Sequence, residues 1–452
     1  MRDFNAPGHW YTSYPSLNHW TEDFGHREFT EALGKFHYPL HLYIHIPFCK
    51  KLCHYCICNI IISNDRAKIQ HFLDHLLREI ELYAPYMPFI QDIHLGGGTP
   101  SHLDRDQFAQ LAKKLQLIAP LRHLKEVAME IDPRTVTQED LHFYADYGVN
   151  RISFGVQDFD IHVQEAINRV QPPEMIENLL QARHRFEGVN FDLLYGLPKQ
   201  TMQTFSDTLD RTVQMAPERI TLLKYCHAPD IRKHMKLIDV TDLPGNDDLK
   251  AMFEMAVERL CKAGYIWIGL DHFAKAYDSL HKAIIRSQEK PDGYLARSFN
   301  GFAVGGTNHI DAPKENIRVK EMIGLGPTST GVFGDIYCQS HYDLNAYYAA
   351  INRGEFPVLR GYHMTADDKL RRDVIFRLLC TQEATIDSDY FSRELEILSH
   401  YEDLCEVESG RIIVTCKGRY VLRNICKIFD VKDTEPQHNL IAQKNMIRRV
   451  AA

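Results

Sequence analysis

The chain predicts an α/β protein: a partial, TIM-like (β/α)6 barrel preceded by an aromatic-rich segment and followed by a small, mostly helical, winged-helix-like unit. Three observations carry that prediction. Short β-rich runs alternate with longer amphipathic ones over residues 40–275, which is the pattern of repeated βα units and a parallel sheet. The side chains with chemical potential fall at the ends of those β-rich runs. A chain of 452 residues, 44% hydrophobic and 25% charged, has ample material for a buried core. The expected strands are 42–48, 92–95, 126–131, 151–155, 189–194 and 219–223, with 265–270 capping the edge. Between the first two, residues 67–83 place Ile69, Phe72, Leu73, Leu76, Ile80 and Leu82 on one helical stripe. In barrels of this kind the reacting groups gather at the carboxyl ends of the strands.

Composition narrows the class. A net charge of -8 without a basic tract argues against nucleic acid as a partner. No apolar run reaches the length of a membrane span. Met1-Arg-Asp-Phe-Asn-Ala-Pro-Gly-His-Trp10 lacks the apolar core of a signal peptide, and 11 cysteines would be scrambled in an oxidising compartment. The expectation is a cytoplasmic enzyme, by default a monomer.

Cys49, Cys53, Cys56 and Cys58 fall within ten residues, the first three as C-x3-C-x2-C directly after the first strand. Three thiolates on one short loop can hold three irons of a 4Fe-4S cluster and leave the fourth open to a non-protein ligand. Zinc is the competing reading, but a closed zinc site wants four ligands, and no second C-x2-C follows. Cys58 competes as a ligand by spacing alone. After the second strand comes Gly96-Gly-Gly-Thr-Pro100, where bare backbone could approach a cofactor closely. The third strand ends in Glu130, the fourth leads to Gln157 and on to Asn168-Arg169, and Asp192 sits inside the otherwise apolar fifth. An acid so placed needs a buried partner or a ligand such as a ribose.

The cysteine spacing, with Tyr55 before the third cysteine, resembles the radical S-adenosylmethionine (SAM) enzymes. Eight motifs in register sharpen this. Tyr11-Thr-Ser-Tyr-Pro15, Tyr43-Ile-His-Ile-Pro-Phe-Cys49, the glycine run and Glu130-Ile-Asp-Pro-Arg134 come first. Gly155-Val-Gln-Asp-Phe159, Asp192-Leu-Leu-Tyr-Gly-Leu-Pro-Lys-Gln-Thr201, Asp271-His-Phe-Ala274 and Arg371-Arg-Asp-Val-Ile375 complete the set. Together they closely resemble the oxygen-independent coproporphyrinogen III oxidase family. The resemblance implies Cys49, Cys53 and Cys56 as ligands of a 4Fe-4S cluster and two SAM molecules at the barrel mouth. Tyr43, Gly97, Glu130 and Thr330 match positions around the cluster-bound SAM. Tyr55, Gly98, Thr99, Gln157, Arg169, Asp192 and Cys226 match those around the second, and Cys58 matches a cysteine that is not a ligand. The implied reaction converts two propionates of coproporphyrinogen III to vinyl groups, giving protoporphyrinogen IX in anaerobic haem synthesis. The implied electron donor is a flavodoxin or ferredoxin. Tyr11 to Tyr14, Arg169, Lys224, Arg297 and Arg371 are candidates to meet substrate carboxylates.

Outside the barrel, residues 1–38 form an aromatic covering segment, 276–361 an extension and connection, and 362–452 the C-terminal unit, with a hairpin through Ser409-Gly410. Three departures from the family pattern bear on the site. Ile57 stands where glycine is usual, residues 276–321 are long, and Gly326-Pro-Thr-Ser-Thr-Gly331 leaves Thr330 where a branched aliphatic is expected. A related radical SAM methyltransferase and a haem-trafficking relative are the alternatives. The latter carries His-Asn-x-x-Tyr, whereas His438-Asn439 is followed here by Leu440, Ile441 and Ala442.

Overall fold

The computed structural model describes residues 10–35, 40–87, 89–289, 294–305 and 321–432. Six strands run parallel: Leu40–Ile46 (β1), Ile90–Gly97 (β2), Glu126–Ile131 (β3), Arg151–Gln157 (β4), Gly188–Tyr195 (β5) and Arg219–Lys224 (β6). All six expected strands are present, within two residues of the expected starts. The expected edge strand is Tyr265–Gly269 (β7), but it turns at Leu270 into His272–Lys275 (β8), which inserts antiparallel between β6 and β7.

The other flank holds what periodicity did not anticipate. Met322–Leu325 (β9) pairs parallel with β1, and Thr330–Phe333 (β10), Ile336–Ser340 (β11) and Val358–His363 (β12) continue as an antiparallel meander. The sheet therefore reads β12-β11-β10-β9-β1-β2-β3-β4-β5-β6-β8-β7. A separate hairpin, Tyr294–Ser298 with Gly301–Gly305, forms its own two-stranded sheet. It spans the seam between the flanks. Asn300 Nδ2 lies 3.4 Å from His41 Nε2 of β1, and the Phe302 ring packs on His272 of β8 at 5.2 Å.

Each barrel strand is buried on both faces, with different chemistry on each. Leu42, Ile44 and Ile46 of β1, Ile93 and Leu95 of β2, and Ile152, Phe154 and Val156 of β4 belong to one large apolar cluster. Each such side chain contributes roughly 1.5–3 kcal/mol of burial energy. Their partners across the pleat, His41 and His45, Asp92 and His94, Arg151 and Ser153, are polar and line the lumen or its rim. Helix Arg66–Tyr83 packs against β9, and its Phe72 ring lies 5.5 Å from that of Phe48, just after β1. Asp65 caps it by accepting from the Ala67 and Lys68 amides, and it buries the expected stripe with Tyr83 in the place foreseen for Leu82.

The N-terminal segment is anchored rather than free. Thr21 bridges to Gly361, and Trp20 stacks on Tyr337 at 5.2 Å. At its start the Trp10 ring lies under Arg423 at 4.0 Å, and the Tyr11 hydroxyl donates to Asp430 at 3.3 Å. The C-terminal unit holds helix Ala366–Thr381 and the expected hairpin, Cys405–Glu408 with Arg411–Val414. Its turn places both Ser409 and Gly410 at positive φ, 49° and 78°. Glu383–Thr385 adds an unanticipated third strand. Residues 290–293, 308–314 and 438–442, singled out in the sequence, lie outside the described residues.

Candidate active site

The carboxyl ends of β1 to β6 open on a cavity of about 1390 Å³. Cys49, Cys53 and Cys56 all line it, the first two buried. Cys49 Sγ lies 3.2 Å from Thr99 Oγ1, and burial, tempered by that contact, pushes its thiol up to about 12. Cys53 Sγ faces two guanidiniums, Arg134 Nη2 at 3.4 Å and Arg169 Nη1 at 3.5 Å. Asp132 ties both arginines, at 2.7 Å and 3.3 Å. Burial alone would raise this carboxyl; Arg169 and Arg134 instead hold it at about 2.

The backbone of the cysteine loop is held from outside. Arg232 Nε donates to the Ile57 carbonyl at 2.8 Å, and His234 Nε2 lies 2.8 Å from the Cys56 carbonyl. Ile57 is not among the residues at positive φ, so the loop follows a course open to any L-residue there. Cys58 is exposed, and the neighbouring Cys56 thiol lowers the pKa of its own.

The glycine run serves the protein's own packing first. Gly97 has φ +112°, and a Cβ there would lie 2.7 Å from His45 Nδ1. One on Gly98 would lie 2.7 Å from the Pro47 carbonyl oxygen, because that amide donates to Ile46 at 2.7 Å. The Gly97 amide donates to Glu130 Oε2 at 3.2 Å, while His94 Nε2 sits 3.0 Å from Glu130 Oε1. Burial would lower His94; Glu130 more than offsets it and the imidazole is raised. Asp192 finds its partners in the protein: Ser153 Oγ and Asn190 Nδ2 each donate at 2.8 Å. Burial, helped by Glu130, still pushes it up to about 6.

Tyr55, Gly97, Gly98, Thr99, Glu130, Gln157, Arg169, Asp192 and Cys226 all line the cavity. Tyr43 and Thr330 do not. Tyr43 stands on the same face of β1 as His41 and His45, its ring 5.8 Å from that of His94 and its hydroxyl 3.1 Å from His45 Nδ1, and Thr328, at φ 66°, stands at the cavity instead of Thr330. Among the substrate candidates, Tyr11, Thr12, Ser13, Arg169, Lys224 and Arg297 line it. Tyr14 does not, and Arg371 is occupied by Asp367 at 2.8 Å and Glu394 at 2.9 Å. Asp132 and Arg134 were not singled out as site residues, although they stand inside a quoted motif. Arg232 and His234 carried no local signal.

A model of the radical SAM superfamily matches residues 43–212. The oxygen-independent coproporphyrinogen III oxidase of Pseudomonas aeruginosa is 34% identical over 457 aligned residues, spanning 95% of this chain and 94% of its own. That of Escherichia coli is 35% identical, with the same shares covered. The solved structure of coproporphyrinogen III oxidase from Escherichia coli, described as a radical SAM enzyme, matches with a TM-score of 0.83 at 34% identity, covering 93% of this chain and 97% of that one. This chain belongs to the oxygen-independent coproporphyrinogen III oxidase family.

Membership of that family brings a 4Fe-4S cluster and SAM, and the residues fit both. Each cysteine of a cluster binds a different iron, so the thiols need not meet at a point. Among the described residues no three Cys, His, Asp or Glu side chains converge on a single ion, which is what a zinc site would require. The guanidiniums of Arg134 and Arg169 against Cys53 suit an anionic occupant. Among the described residues no helix is long and apolar enough to cross a membrane.

Proposed function

We propose that this protein carries out the oxidative decarboxylation of two propionates of coproporphyrinogen III to vinyl groups, giving protoporphyrinogen IX without oxygen. When bound, the cluster would supply the electron that cleaves SAM, and the 5'-deoxyadenosyl radical so released would take a hydrogen from the propionate carbon next to the ring. Loss of carbon dioxide then leaves the vinyl group and one electron per propionate, which passes to an acceptor. The chain's own work is positioning, since no general acid or base acts in hydrogen abstraction.

In this reading Cys49, Cys53 and Cys56 hold the cluster, with Arg134 and Arg169 placing positive charge against Cys53. Tyr43, Gly97 and Glu130 serve the SAM on the open iron, with Thr328 standing at the cavity in place of Thr330. Tyr55, Gly98, Thr99, Gln157, Arg169, Asp192 and Cys226 serve a second. Ionised Asp192, already oriented by Ser153 and Asn190, accepts from ribose hydroxyls. The segment from Trp10 to Ser13 lines the cavity and keeps water from the radical. The electron comes from a flavodoxin or ferredoxin, in the cytoplasm, to a monomeric enzyme.

The observation that carries the reading is the meeting of three thiols, two cations and the carboxylates of Glu130 and Asp192 on one cavity. The test is an anaerobic incubation of reconstituted, reduced protein with SAM and coproporphyrinogen III, followed by mass spectrometry. Two losses of carbon dioxide with matching hydrogen loss are expected, alongside 5'-deoxyadenosine. Deoxyadenosine with an unchanged or methylated tetrapyrrole would overturn the assigned reaction.

A further inference from the structure

One cation on the cavity wall is unlike the others. Arg297 lies on the seam hairpin, 3% exposed, and lines the cavity. Its guanidinium lies over the Phe302 ring at 4.9 Å, and Nη2 donates to the Trp10 carbonyl at 3.4 Å. Nε and Nη1 have no hydrogen-bond partner among the described residues. The acid nearest in its electrostatics, Asp271, is engaged by His272 at 2.6 Å and Arg423 at 3.4 Å. A guanidinium is always charged, and one so buried with unfilled donors is costly unless a ligand completes it. Every other buried arginine of the barrel is paired with at least one carboxylate: Arg151, with only Nη1 unfilled, and Arg219 with Glu126 and Asp278, and Arg169 with Asp132.

We propose that Arg297, held flat by Phe302 and Trp10, is the anchor for a substrate propionate that is not being decarboxylated. The proposal rests on the tetrapyrrole reading above. A carboxylate that departs as carbon dioxide loses its charge during the reaction, so a tight guanidinium pair with it would oppose departure. The same pair with a carboxylate that persists fixes the macrocycle without opposing the chemistry. Arg297 also stands on the seam hairpin rather than beside Arg134 and Arg169, which touch Cys53, so it holds the ring from a different element of the cavity wall.

The probe is coproporphyrin III, the air-stable aromatic form with the same four carboxylates, titrated into the reconstituted full-length protein by quenching of tryptophan fluorescence. R297Q is expected to weaken its binding at least tenfold and R297K to recover part of the loss, with SAM affinity and cluster absorbance unchanged. In turnover, KM for coproporphyrinogen III should rise more than kcat falls. The wild-type protein should also prefer coproporphyrin III over its tetramethyl ester, a comparison that needs no variant to fold. Equal affinity for acid and ester, equal affinity of R297Q and wild type, or a loss of SAM rather than porphyrin binding would each overturn the proposal. Wild-type protein that binds no coproporphyrin III at all would overturn the tetrapyrrole reading itself.

Discussion

The two ends of the barrel carry clusters made of the same residue types to different ends. At the amino end Arg151 and Arg219 each pair with both Glu126 and Asp278, at 2.9 to 3.2 Å, so two cations meet two anions. At the carboxyl end Arg134 and Arg169 share one anion, Asp132, and each turns one donor toward Cys53, while the others go to the carbonyls of Asn168 and Gly155. The amino-end cluster is balanced within the fold. The carboxyl-end cluster holds a surplus of positive charge that only an anionic occupant of the cysteine loop completes. A buried arginine therefore marks a ligand site not by its burial but by whether the protein has already supplied its carboxylates.

The sharpest way to break that contrast is to remove the sulfur the upper cations face. Cys53→Ala should abolish cluster assembly and SAM cleavage together, measured as iron content and 5'-deoxyadenosine, while its urea midpoint stays near that of the apo wild type. A full cluster in that variant would sink the ligand assignment. At the other end the effect should fall on stability instead. Asp278→Asn strips a charge from a balanced buried set and should cost roughly 3–5 kcal/mol in chemical denaturation, with SAM cleavage per folded molecule retained.

Acid titration separates the ends more gently. Asp132 is depressed to about 2 by its arginines. Its stabilisation is therefore fully present above the unfolded carboxyl value near 4 and is lost as pH falls from there through about 2. Wild type should exceed Asp132→Asn by about 2 kcal/mol at neutral pH, and the gap should close toward pH 2; a constant gap would contradict the pairing. The smallest effect belongs to Asp192, raised to about 6 by burial. SAM affinity should rise a few-fold between pH 5 and 7 as this carboxyl ionises, and Asp192→Asn should flatten that rise in calorimetric titration.

The legible parts of the molecule were those encoded locally. The six parallel strands could be read because each alternates around a β-branched or leucine-rich face, and the cysteines because their spacing is confined to one loop. The β9 to β12 meander escaped notice because its strands are short and punctuated by Gly324, Gly326, Gly331 and Gly334. Thr330 was expected at the site, yet the turn through Gly326 and Thr328, both at positive φ, presents Thr328 to the cavity. Arg232 and His234 could not be anticipated, because their hold on the cysteine loop joins residues some 175 positions apart. The glycine run was read as room for a cofactor; Gly97 and Gly98 line the cavity, and the packing against His45 and Pro47 adds a demand from the fold itself that the sequence did not reveal.

Among the described residues, the hairpin across the barrel seam shares no backbone ladder with the main sheet. It meets β1 and β8 through side chains, at His41 on one and His272 on the other. A hydrogen-bonded closure would have fixed the aperture of the lumen, since widening it would tear a row of amides from their partners. A side-chain latch sets no such limit. Breaking the contacts at His41 and His272 would leave every strand of the barrel paired with its neighbours.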